Sequence, residues 1–247
     1  MATDQRGRVR AERSPKRLRA YLGGELVLDT RRPLLVWEIP YYPAYYVPAG
    51  DVVAELTDTG EVDHSPSRGD AAVLTVCTPG HRAEGAALRY DDSPLDALAG
   101  HVRFDWAALD AWFEEDEEVF THPRSPYARV DILPTSRQVV VRRRGVPLAR
   151  SDRAHAVFET GLPPRWYVPR TDVRMDLLRP SGTVTNCPYK GRASHFHAHL
   201  AGEVVEDVAW SYPTPLPESQ RLAGLVAFYD DRVTVEVDGV VQGGGEP

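Results

Sequence analysis

The run Asn186-Cys187-Pro188-Tyr189-Lys190-Gly191 gathers several reactive side-chain types into six residues. A cysteine attacks as the thiolate, and a nearby cation lowers its pKa. Lys190 lies three residues beyond Cys187, Pro188 stiffens the turn, and Gly191 permits an unusual backbone angle. Tyr189 supplies a proton donor or a stacking face. All but two of the 29 basic residues are arginine, the exceptions being Lys16 and Lys190. That bias is expected of a GC-rich genome, so a lysine at 190 suggests a choice made for chemistry. Cys187, Lys190 and Tyr189 are therefore the candidate catalytic residues. The plainer reading is a buried thiol, a core tyrosine and a solvated lysine, and no histidine or asparagine partner for the thiol can be assigned from sequence.

Next comes Ser194-His195-Phe196-His197-Ala198-His199-Leu200. On a strand, His195, His197 and His199 share one face and Phe196, Ala198 and Leu200 the other. Three imidazoles so placed, completed by Glu206 or Asp207, are a weak alternative for a transition-metal site. The plainer reading points the apolar set inward and the histidines to water. A third cluster, Asp207-Val208-Ala209-Trp210-Ser211-Tyr212-Pro213-Thr214-Pro215, sets aromatics among prolines, as a rigid pocket wall or a structural plug would. Tyr167, Trp210, Ser211 and Tyr212 are the candidate ligand-binding residues of this kind. Arg174 and Asp176 join them as an anion-binding pair, or form only a surface ion pair worth under about 1 kcal/mol.

The chain of 247 residues must hold these groups with a globular composition: 42% hydrophobic, 26% charged. That excludes wholesale disorder, a coiled coil or a collagen-like fibre. No stretch approaches the roughly 20 apolar residues of a membrane span. The first ten residues are charged with no apolar run behind them, unlike a secretory signal. Two cysteines cannot build a disulfide framework, so a soluble, cytoplasmic protein is expected. The net charge of −7 argues against a dedicated nucleic-acid binder. A basic run, Arg6 to Arg19, and an acidic run, Asp110 to Glu118, read as solvated faces, with phosphate contact the alternative for the basic one. Phosphate loop, nucleophile elbow, metalloprotease helix and Cys-x-x-Cys pair are all absent.

An internal repeat organises the chain. Gly24 to Glu38 aligns with Gly145 to Glu159, in a register of 121 residues that runs without a gap from Arg8 to Leu56. Tyr46-Val47-Pro48 meets Tyr167-Val168-Pro169, and Glu38 meets Glu159. Beyond Leu56 the first copy reads as carrying about eleven extra residues, Asp58 to Arg68, after which Cys77 pairs with Cys187. Trp106 then meets Trp210, and Trp112-Phe113 meets Phe228-Tyr229. The expected modules are residues 8–121, with a degenerate motif, and 127–242, with the Cys-Pro-Tyr-Lys-Gly element. Runs such as 138–142, 156–159, 166–168 and 233–237 read as strands, and Gly24, Gly145 and Asp238-Gly239 as turns. Helices are expected over Trp106–Glu118 and Glu218–Tyr229. The fold class is mainly β with short helices, two tandem modules in pseudo-twofold relation.

Residues 167–178, Cys187-Pro-Tyr-Lys-Gly191 and 205–213 carry a family likeness. Through them the chain resembles a tandem member of the domain-of-unknown-function family numbered 427, strongly in the second copy and more loosely in the first. The resemblance implies a small β-tent domain of the Mss4-like kind, twice over, of bacterial type. The family is sometimes labelled nucleotidyltransferase-like, yet no Gly-Ser followed by spaced aspartates is present to hold Mg²⁺. Where similar proteins have Ser-Tyr-Trp-Ser, this chain has Ser194-His-Phe-His197, so the three-histidine face is not a family feature. The paired cysteines of zinc-binding Mss4-like relatives are missing, and the first copy's Cys77-Thr-Pro-Gly80 lacks tyrosine and lysine.

The reading that follows is a small-molecule enzyme with Cys187 as nucleophile or redox thiol. Its rivals are a non-catalytic ligand-binding module and a structural protein with the motif in its core. Cofactor, substrate and oligomeric state stay open.

Overall fold

Alternating burial builds the strands. Leu18-Arg19-Ala20-Tyr21-Leu22 buries every second residue, and Trp166, Tyr167 and Val168 are buried on both faces of a central strand. The computed structural model describes residues 9–242 and divides the chain into two compact units, Met1–Pro126 and Tyr127–Pro247. Of the basic run, Arg6 and Arg8 lie outside the described residues, as does the charged opening of the chain.

The first unit holds β1 (Arg10–Arg13), β2 (Leu18–Leu22), β3 (Glu25–Thr30), β4 (Leu34–Ile39), β5 (Tyr42–Pro48), β6 (Glu55–Ser65), β7 (Gly69–Thr78), β8 (His81–Tyr90), β9 (His101–Phe104), β10 (Ala111–Glu114) and β11 (Glu117–Glu118). The second holds β12 (Val130–Pro134), β13 (Val139–Arg143), β14 (Val146–Ser151), β15 (His155–Glu159), β16 (Arg165–Pro169), β17 (Leu178–Cys187), β18 (Gly191–Leu200), β19 (Glu203–Ser211), β20 (Leu225–Phe228), β21 (Thr234–Val237) and β22 (Val240–Val241). Each unit is a seven-stranded sheet, β1-β4-β5-β9-β8-β7-β6 or β12-β15-β16-β20-β19-β18-β17, and a four-stranded one, β11-β10-β2-β3 or β14-β13-β21-β22. The fold is thus mainly β in two tandem modules of the same topology. One apolar core lies between the two sheets of a unit, joining Val139, Val141 and Leu148 to Trp166, Val168, Phe196 and Phe228 in the second. A smaller cluster fills the opposite face of the large sheet.

Strand pairing corrects the repeat alignment. Ser65 faces Gly69 across the β6–β7 turn, and Cys187 faces Gly191 across the β17–β18 turn. The counterpart of Cys187 is therefore Ser65, and that of Cys-Pro-Tyr-Lys-Gly is Ser65-Pro66-Ser67-Arg68-Gly69. Residues 58–68 are no insertion: the copies stay in step with a register change of a single residue, from 121 to 122. Cys77 lies far along β7, opposite Glu55. Trp106 has no link to Trp210; it stacks on Trp112, 4.4 Å between ring centres. Trp112-Phe113 on β10 pair with β2, as β21 pairs with β13, so they answer to Val235-Glu236 and not to Phe228-Tyr229.

Both expected helices give way to strand pairing. Trp106–Ala108 and Pro217–Leu222 form only 3₁₀ turns, while 111–114 and 225–228 are strands. On β10 Trp112 and Glu114 point inward and Ala111 and Phe113 are half-buried, which is period two. No helix among the described residues is long and apolar enough to cross a membrane.

Candidate functional site

The free face of the second large sheet collects the candidate residues. Val157 from β15, Tyr167 from β16, Ala227 from β20, Trp210 from β19 and Ala193 from β18 form one cluster with Ile132 and Cys187. Lys190, at the β17–β18 tip on one side of the sheet, reaches Glu159 on β15 near the other edge, so the sheet curls over this cluster. The segment after β19 buttresses that closure. The Leu216 amide donates to the Lys190 carbonyl at 3.1 Å, Ser219 Oγ to the Tyr189 carbonyl at 2.9 Å, and Arg221 to the Ile132 carbonyl at 3.1 Å.

At the tip of the β17–β18 hairpin the Lys190 amide closes a turn onto the Cys187 carbonyl. Gly191 takes φ = 98°, and an added Cβ would press on Leu216 N and Thr214 O, both at 3.4 Å. The turn sends the 7%-exposed Lys190 inward, where its ammonium donates to Glu159 on β15. The lysine expected to stand over the thiol is thus engaged by a carboxylate, and it lies 6.0 Å from the Tyr212 ring centre. Cys187 is half-buried and a free thiol. It lies close enough to Tyr167 and Tyr212 to raise both phenol pKa values, although burial is the main cause. Tyr189 is half-buried beside it.

The aromatic wall is core. Tyr167, Trp210 and Tyr212 are all buried, and Trp210 Nε1 donates to the Tyr167 hydroxyl at 3.1 Å. Tyr229, which sequence reasoning passed over, tilts against Trp210 at 4.4 Å and stacks on His195 at 6.0 Å. Ser211 is buried at the end of β19. Arg174 and Asp176 bind each other bidentately at 2.8 and 2.6 Å on the exposed surface. They belong to the intersheet side, where the Arg174 amide is tied to Leu148. The histidines do not converge. His195 meets Thr185 at 2.9 Å, His197 accepts from the Asp207 amide at 3.0 Å, and His199 is exposed. Among the described residues no three His, Cys, Asp or Glu are grouped to hold a metal ion.

The first unit repeats the clasp with other chemistry. Arg68, the counterpart of Lys190, binds Glu38, the counterpart of Glu159, at 3.0 Å. Glu38 also takes Arg103 and the Tyr46 hydroxyl, each at 2.8 Å, and Arg68 donates to Tyr90 at 3.1 Å. Sequence alignment hid this because it slid the Ser-Pro-Ser-Arg-Gly turn out of register; an x-Pro-x-basic-Gly pattern was the available signal.

The basic and acidic runs, too, meet. Lys16 binds Glu114, Arg19 binds Asp116 at 2.7 Å, and the Arg17 amide donates to Glu115 at 2.8 Å. These two ion pairs and one backbone hydrogen bond join β2 and β10 and their flanks, closer than two separately solvated faces.

The family model described as a domain of unknown function, DUF427, matches residues 10–115 and again 131–239. No curated protein matches the chain.

Proposed function

We propose, for a chain that belongs to the DUF427 family through both of its halves, that the second half is a small-molecule enzyme centre with the Cys187 thiol as reacting group. The observation that carries this reading is a substitution on a repeated frame. Both halves keep the cation–glutamate clasp and its two tyrosines, while Ser65, Ser67 and Leu88 give way to Cys187, Tyr189 and Trp210. Shared residues serve the frame; the changed ones are where function can differ. In this reading the sulfur bonds to an electrophilic carbon of the substrate, and the leaving group departs with its bonding pair and takes up the thiol proton. Lys190 and Glu159 act as positioning residues that hold the hairpin tip, and Tyr189 borders the half-exposed thiol. The free state of both cysteines supports a cytoplasmic location, and two packed antiparallel sheets per half support the β-tent, Mss4-like type.

Burial of Tyr167, Trp210 and Tyr212 favours a second reading, in which the motif is only core. Alkylation of the folded protein, followed by mass spectrometry of the two thiol peptides, separates the readings. The enzyme reading expects Cys187 in the folded protein to alkylate at least as fast as a small free thiol at the same pH. It also expects Cys187→Ser to keep the fold. A thiol inert until unfolding, with Cys187→Ser strongly destabilised, would leave only the structural reading.

A further inference from the structure

The bulge between the last long strands occurs in both halves, but its chemistry does not. Pairing slips from Leu74–Ala87 to Val76–Ala83 in the first, and from Phe196–Ala209 to Ala198–Val205 in the second. The crest residue has positive φ in both: Gly85 at 61° and Asp207 at 45°. Glycine adopts that region freely, whereas a residue with a Cβ gives up about 1 kcal/mol there. The first half sets Val73 and Thr75 near its glycine; the corresponding residues near Asp207 are His195 and His197. The first half shows that the fold requires neither the aspartate nor the imidazoles.

These groups leave two buried polar atoms unmatched among the described residues, His195 Nδ1 and Asp207 Oδ1. Asp207 Oδ2 accepts from Thr183 at 2.7 Å. The Asp207 amide donates to His197 Nδ1 at 3.0 Å, so that nitrogen carries a lone pair and no proton. The same nitrogen lies 3.7 Å from the unmatched Asp207 Oδ1. The other groups facing the bulge are few. Arg232 donates to the Glu206 and Asp207 carbonyls, and Tyr229 stacks on His195. From β17 come the Ser181 and Thr183 hydroxyls to Asp207, the Thr185 hydroxyl to His195, and Arg179 at the position opposite His197, its guanidinium donating to the Asp176 and Leu178 carbonyls. Burial holds the 2%-exposed His195 below the usual imidazole pKa, with Asp207 opposing and Arg232 adding.

We propose that this bulge is an acid-operated switch: a proton on His197 Nδ1 ends the bond from the Asp207 amide and turns the ring to Asp207 Oδ1, exchanging a backbone contact for an ion pair. The amide then loses its acceptor, and pairing between β18 and β19 rearranges around the crest. Tyr229 lies against both His195 and Trp210, so the change reaches the aromatic row beside Cys187. The switch stands whatever reaction Cys187 performs.

Hydrogen exchange of residues 203–211 tests it, with the 81–90 strand of the same molecule as internal control. After correction for intrinsic exchange, lowering pH from about 8 to about 5 should cut protection of 203–211 roughly tenfold and leave 81–90 unchanged. His197→Thr, the first half's own solution, should remove that response while keeping the fold. Equal loss of protection in both strands, no loss in the wild type, or an undiminished response in His197→Thr would overturn the switch.

Discussion

The two halves close the same curled sheet with the same clasp and differ in how fully it is satisfied. Glu38 holds two guanidinium groups and a phenol, while among the described residues Glu159 holds one cation, Lys190. The phenol answering to Tyr46 has a different partner: Tyr167 accepts from Trp210, whereas Tyr46 donates to Glu38. The first half is therefore the polar, self-contained version of the module. The second replaces charge around the carboxylate with aromatic surface and a thiol. Duplication separates here what the fold needs from what one copy has acquired, a distinction that a single domain could not offer.

Unequal clasps should break unequally. Glu38→Gln leaves Arg68 and Arg103, both mostly buried, without their carboxylate and should cost about 3 kcal/mol. Glu159→Gln strands only Lys190 and should cost roughly half as much. Urea unfolding with hydrogen exchange resolved for each half reads both, and equal losses would contradict the comparison. Next in size comes Trp210→Leu, which installs the first half's Leu88. It removes the stack on Tyr229 and the donation to Tyr167, and should destabilise the second half by about 2 kcal/mol.

A smaller difference concerns acid. Asp172 is held down to about 2 by Arg153, then by Ser151 and Thr171, and its counterpart Asp51 is lowered by Arg32 and Thr30. A depressed carboxyl pKa contributes stability that is present above the unfolded value of about 3.9 and lost as pH falls through the folded one. Asp172→Asn should therefore lower stability by about 1 kcal/mol at pH 7, solvent screening included, with the deficit shrinking as pH falls through about 2 and vanishing below it. Thermal unfolding across that interval checks it; a deficit that persists at the acid end would refute the assignment.

Much of this was legible in the sequence where the signal is local. Period-two alternation and β-branched runs marked β13, β15, β16 and β21, and Asp238-Gly239 marked a hairpin turn with both residues at positive φ. The repeat was legible to about Val53 for the same reason, while Leu56, matched with Leu177 by sequence, answers to Leu178 by strand pairing. It failed beyond because the longest hairpins are mostly exposed on their edge strand, as β6 and β17 are, so few apolar positions constrain an alignment. One matching cysteine then outweighed the Pro-x-basic-Gly turn. The helices were misread because Trp112 and Phe113, adjacent in sequence, suit either period, and only pairing with β2 decides. Cys187, Lys190 and Tyr189 were singled out by residue type alone. The engagement of Lys190 by Glu159 was not, since partners 31 residues apart meet only once the sheet curls.

The smallest expected change in stability is the most informative. Cys187→Ser gives the second half the residue that the first already uses at Ser65, in a turn with the same closing bond, Arg68 N to Ser65 O and Lys190 N to Cys187 O, both 3.3 Å. Because the frame accepts serine there, the cost should stay under about 1 kcal/mol, within the range of substitutions that leave packing intact. The reciprocal change, Ser65→Cys, places a thiol on the same frame at a site only 7% exposed, beside the crowded Glu38 clasp. If the second half's surroundings make Cys187 reactive, the new thiol should alkylate at least about tenfold more slowly than Cys187. Equal rates would mean that any cysteine at this turn behaves alike, and the comparison between the halves would lose its functional meaning.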